Sequence, residues 1–141
     1  MTENPQVNRY FVDKAIDRID HALGRPIYPL RETYRNHYAT NAAGTLAAEF
    51  DRSPHWTKTG ASRDMAYYAV TAEGRKALAD HAASQPDPFQ PFLVTFDGHT
   101  AIVPERTRSK AKYAYYLVVS DCWSDLTFSA FCKRSNVRRA A

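Results

Sequence analysis

Glycine is scarce in this 141-residue chain, with five copies, and cysteine is scarcer, with two. So little glycine leaves no material for a phosphate cradle of backbone amides, and neither G-x-x-x-x-G-K-[ST] nor G-x-G-x-x-G occurs. The G-x-S-x-G elbow that would present a nucleophilic serine is also missing. Cys122 and Cys132 stand alone near the end of the sequence, which favours buried free thiols in a reducing compartment over a disulfide framework. His21, His37, His55, His81 and His99 form no His-x3-His pair and adjoin no cysteine pair, so the zinc-ligand spacings are missing too. Asp121 and Asp125 fit solvation of a helix end better than a metal pair. No apolar run approaches the ~20 residues of a membrane helix, and MTENPQVNRY has no apolar signal core. The expectation is a cytoplasmic protein with no cofactor, no metal and no catalytic activity.

What is present is core material and an uneven distribution of charge. Hydrophobic residues make up 44% of the chain and charged residues 24%, which suits one ordinary domain or two small ones. The formal charge is +4. Residues 1–91 balance eleven basic against eleven acidic side chains. Residues 92–141 carry Arg106, Arg108, Lys110, Lys112, Lys133, Arg134, Arg138 and Arg139 against Asp97, Glu105, Asp121 and Asp125, and so hold the whole excess. Attraction for phosphate is expected to centre there, provided these cations converge on one face.

Periodicity predicts a helix over 7–23, with Val12, Ala15, Ile16, Ile19, Ala22 and Leu23 on one face and Gly24 as its C-terminal cap. LRETYRNHY (30–38) and AGTLAAEF (43–50) predict two further helices. The period then changes to that of strands in HWTKT (55–59) and MAYYAVT (65–71), with GASRD (60–64) as the hairpin tip. Thr71 is a natural N-cap for a helix to about Ala83, and Glu73 suits its first turn. The three prolines of SQPDPFQP (84–91) predict a semi-rigid linker. Beyond it, FLVTF-DG-HTAIV (92–103) carries the Asp-Gly hairpin signal. TRSKAKYAYYLVVSD (107–121) predicts a helix capped by Ser109 or Thr107, with Ala111, Ala114, Tyr115 and Val118 inward. LTFSAF (126–131) predicts a short helix capped by Thr127, and NVRRA a strand returning beside the hairpin.

YYAVTAEGRKAL resembles the wing strand and following helix of winged-helix transcription regulators. That resemblance implies a DNA-binding module over 7–83. PLRETYRNHYAT and SDLTFSAFCKRSNVRRA resemble segments of small uncharacterised phage and prophage proteins. The Asp-Gly hairpin followed by TRSKA (107–111) is similar in outline to the arm-binding domains of phage integrases, whose sheet lies in a DNA groove. Those place three strands before the helix, whereas only two precede it here.

A winged-helix reader needs side chains that reach base edges. AGTLAAEF offers small apolar residues and one acid, so it reads bases poorly. Lys58 and Arg63 at the wing tip suit a phosphate clasp, with Arg31 and Arg35 as added backbone contacts. The sharper candidate is PERTRSKAK (104–112), where Arg106, Arg108, Lys110 and Lys112 gather at a helix start that already favours anions. Arg138 and Arg139 of KRSNVRR extend it, and Tyr113 and Tyr116 offer faces for unpaired bases. Set against this, charge runs of this length also serve as solvated surface. Trp56, Tyr67 and Trp123 are candidate anchors for a protein partner, since aromatics dominate such interfaces.

The sequence therefore reads as an α+β protein. A winged-helix-like module with a β-hairpin wing (7–83) leads through a proline linker (84–91) to a small basic hairpin–helix module (92–141). The function expected is that of a non-catalytic, phage-type DNA-associated protein contacting nucleic-acid backbone. The alternative is a protein-binding inhibitor or adaptor of host machinery, of the anti-CRISPR kind, with a host protein complex as its partner.

Overall fold

Asp13 sets the first element. Its carboxylate accepts from the Ile16 amide and starts α1 (Lys14–Ala22), a helix that begins seven residues later than the periodicity predicts. The segment before it is extended: Val7 donates to the Arg25 carbonyl and Gln6 bridges to Pro26. Val7 and Phe11 thus reach the core from a strand-like segment, and Val12 is left 99% exposed. α1 ends on Gly24 at φ 82°, where the Gly24 amide bonds to His21 O and the Arg25 amide to Asp20 O. This is the paired closure that a left-handed residue after the last turn permits.

The computed structural model describes residues 3–140. Its chain divides into two compact units, residues 1–85 and 86–141. The class is α+β, with five helices and two antiparallel three-stranded sheets among the described residues. No helix is long and apolar enough to cross a membrane among those residues.

In the first unit α1 is followed by β1 (Tyr38–Asn41), α2 (Thr45–Arg52), β2 (Trp56–Ser62), β3 (Met65–Val70) and α3 (Ala72–Ala83). The sheet order is β1-β3-β2. The helix expected over 30–38 does not form. Side chains from elsewhere hold that stretch open instead: Arg75 donates to the Pro29 and Arg31 carbonyls, and Asn36 bonds both polar groups of the Val70 backbone. These tertiary bonds outweigh a weak local preference. Phe50 stacks on Trp56 at 4.0 Å, with Tyr38 and Tyr68 edge-on around the pair. Burial pushes the Tyr68 hydroxyl above its ordinary pKa, helped by its bond to Asp51. The hairpin is longer than expected. Its strands run through Ala61, slip at a bulge near Lys58, and turn at Arg63, which sits at φ 56°. Thr71 caps α3 through the Gly74 amide.

The second unit runs β4 (Gln90–Phe96), β5 (His99–Glu105), α4 (Arg108–Ser120), α5 (Phe128–Arg134) and β6 (Ser135–Arg139). Asp97 and Gly98 both adopt positive φ, as a tight hairpin turn demands. Thr107 caps α4 and Thr127 caps α5. The last strand returns beside β4, giving the order β5-β4-β6. Phe92, Val94 and Phe96 point to the helical side and pack on Ala111, Leu126 and Phe131. Tyr116 and Val119 join them, while Val118, expected inward, is 62% exposed. Cys122 and Cys132 are free, and Cys122 is exposed rather than buried.

Candidate nucleic-acid interface

α4 presents cations because its sequence alternates them with core residues. Ala111 is fully buried against the sheet, which throws Arg108, Lys110 and Lys112 outward on either side of it. Arg108 and Lys112 lie one turn apart and share a side of the helix. Lys110 is roughly 200° around the axis from that side. The structure therefore splits the basic run instead of gathering it.

Arg108 and Lys112 line a cavity of about 230 Å³ with Ser109, Ser135, Asn136 and Val137, so α4 forms one wall and β6 the other. Neither cation forms an ion pair among the described residues. Ser135 Oγ is buried in this wall and has no hydrogen-bond partner. Such an unmet hydroxyl costs on the order of 1–3 kcal/mol unless something reaches it.

The remaining late cations are placed differently. Arg106 lies flat on Phe89 at 4.3 Å, donates to the Asp87 carbonyl at 3.0 Å, and pairs with the Asp87 carboxylate at 3.6 Å. Arg134 bonds Asp97 at 3.2 Å and rests on Phe96 and Trp123. Arg139 donates to Gln90 Oε1 at 2.6 Å. These three are engaged in holding the unit together. Arg138 stands opposite Leu93, on the sheet face turned away from the helices, and is exposed. The expectation that all the late cations meet on one face is thus corrected: local carboxylates and a change of side along α4 disperse them.

A second surface of α4 is apolar. Lys110 and Glu105 border a cavity of about 360 Å³ lined by Tyr113, Ala114 and Leu117. Tyr113 meets Phe128 edge-on at 5.2 Å, and both rings are exposed. Tyr116, offered as a stacking face, is instead drawn into the core and donates its hydroxyl to Leu126 O.

In the first unit Lys58 and Arg63 are both exposed, but roughly 15 Å of strand separates them. They do not form the clasp expected of a wing tip at Gly60, because the strands continue past it. Arg31 folds onto Tyr28 at 3.7 Å and Arg35 onto the His37 carbonyl. Trp56 is a core residue, corrected from its expected place at an interface, since Phe50 and Tyr38 cover it. Tyr67 is half-buried under His37, and Trp123 is partly exposed beneath Arg134.

Ser135 and Asn136 were not legible as site residues. Only the pairing of β6 with β4 brings them beside α4, and that pairing joins segments some forty residues apart. No three His, Cys, Asp or Glu side chains come together in a way that could hold a metal ion among the described residues. Comparison with known protein families, with characterised proteins and with solved structures gave no match.

Proposed function

We propose that this is a non-catalytic, phage-type DNA-associated protein whose second unit grips nucleic-acid backbone along the groove between α4 and β6. The observation that carries the reading is the pair Arg108 and Lys112, free of carboxylates among the described residues and facing one cavity. Cations left unpaired by their own protein attract polyanions and release counterions on contact. The winged-helix-like reading of the first unit draws on the order β1-β3-β2 and the capped α3 after the hairpin. It lacks the second helix, and α2 carries a single cation, Arg52 at its last residue, so backbone contact and not sequence readout is the activity proposed.

A second reading has one observation in its favour. The exposed Tyr113, Leu117 and Phe128 suit a protein partner, in keeping with an inhibitor or adaptor of host machinery of the anti-CRISPR kind.

Duplex and single-stranded DNA binding across a salt series separates the two. For the full chain, the double change Arg108→Ala and Lys112→Ala is expected to weaken binding at least about tenfold and to flatten the log–log salt slope by about 2. Arg106→Ala is expected to change little, because Asp87 and Phe89 already hold that guanidinium. Absence of binding at roughly 50 mM salt overturns the DNA reading and leaves the protein-partner one.

A further inference from the structure

We propose that the cavity between α4 and β6 is a seat for a single terminal phosphate, a phosphomonoester end of a nucleic-acid strand, taken in preference to the internal diesters of its backbone. This rests on the nucleic-acid reading above and sharpens it. A phosphomonoester carries nearly two negative charges at neutral pH, its second pKa being about 6, whereas a backbone diester carries one. Arg108 and Lys112 both line the same cavity of about 230 Å³, so two positive charges serve one compartment. The guanidinium supplies a planar fork of donors and the ammonium a compact point charge, a combination suited to the several oxygens of one phosphoryl group.

β6 presents no anion to that compartment: Ser135 and Val137 take its helix-facing positions, and the Ser135 hydroxyl is buried without a partner. Glu105, Asp97 and Asp87, the acids of this unit that pair with a cation or lie at a cavity, are elsewhere. Glu105 lines the other cavity, while Asp97 and Asp87 are taken by Arg134 and Arg106. Carboxylate repulsion, which would reject a dianion, is therefore missing from the lining residues.

The test compares three 12-nucleotide single strands of one sequence, ending in a 5′-phosphate, a 3′-phosphate or hydroxyls only, titrated against the full chain. A phosphate-ended strand is expected to bind about tenfold tighter than the hydroxyl-ended one, the gain of added charge-assisted bonds. That preference should vanish in Arg108→Gln and in Lys112→Gln, and survive in Lys110→Gln, which removes equal charge from the other side of α4. It should also decline between pH 7.5 and 5.5 as the monoester takes up its second proton. Inorganic phosphate at millimolar concentration should erase the preference, because it fills the seat that the strand end would take. Equal binding of all three strands, weakened alike by the cavity variants, overturns the end-phosphate seat and leaves the backbone reading standing. A preference that persists in both cavity variants also overturns it, by placing the seat elsewhere. Failure of every strand to bind takes the nucleic-acid reading down with it.

Discussion

The two units of this chain use arginine in opposite ways. In the first, Arg9 and Arg25 are driven inside and surrounded. Asp20, fully buried, accepts two bonds from Arg9 at 2.7 and 3.0 Å and one from Arg25 at 3.2 Å, and Arg25 also pairs with Asp17 at 2.7 Å. Arg9 closes on the Pro26 carbonyl and Arg25 on the Arg9 carbonyl, so the cluster ties the extended opening segment to the end of α1. In the second unit the ion pairs, Arg106 with Asp87 and Arg134 with Asp97, are exposed, and Arg108 and Lys112 are left with none. Composition alone makes both units rich in arginine. What differs is whether a carboxylate lies within reach, and that decides whether a cation serves as internal framework or remains open to a ligand.

The comparison breaks most severely at Asp20. Asp20→Ala strands the buried Arg9 guanidinium and leaves Arg25 with Asp17 alone, and chemical denaturation is expected to show a loss of about 3–5 kcal/mol in the first unit. The matching change at the exposed pair, Asp97→Ala, is expected to cost at most about 1 kcal/mol. Equal losses in the two variants would erase the distinction between the units. A smaller effect is expected at Gly74, where α3 runs against the strand: an added Cβ would lie 2.6 Å from His55 O and 2.6 Å from Val70 Cγ1. Gly74→Ala should therefore destabilise the first unit by about 1–3 kcal/mol through overpacking, with the nucleic-acid binding proposed for the second unit unchanged.

Acid sharpens the contrast most gently. The bond from Arg25, reinforced by the Phe11 amide, holds the Asp17 carboxyl below its ordinary 3.8, against the opposing effect of burial. A carboxyl whose pKa is lower in the folded state stabilises above its unfolded value and loses that contribution as pH falls through the folded one. Resistance of the first unit to urea should accordingly fall below about pH 4, and Asp17→Asn should flatten that acid limb while lowering stability at neutral pH. An acid limb with the same slope in Asp17→Asn would remove Asp17 from the framework.

Much of the architecture was legible locally. Thr71, Thr107 and Thr127 announced three helix starts, and each hydroxyl accepts from the amide three residues on. Asp97-Gly98 announced the tightest hairpin, Gly24 the end of α1, and the basic tail its strand. These readings succeed because capping and turn chemistry act within a few residues. The failures share the reverse cause. The 30–38 stretch has helical spacing, yet Arg75 and Asn36 hold it open from afar. Residues 7–13 continue an apolar period, yet Asp13 caps the helix and Arg9 is drawn aside to Asp20.

For the candidate site, the sequence determined which residues carry charge and that the surplus lies late in the chain. Adjacency along α4 also sufficed to put Arg108 and Lys112 on one side and Lys110 on another, since helical spacing is a local property. Tertiary structure alone decided the rest. It set β6 on the β4 edge of the hairpin, so that Ser135 faces α4 across a cavity, and it delivered Asp87 to Arg106 and Asp97 to Arg134. The physical reason is range. Caps and turns are settled by neighbours in sequence, whereas the neutralisation of a cation depends on which carboxylate the folded chain carries to it.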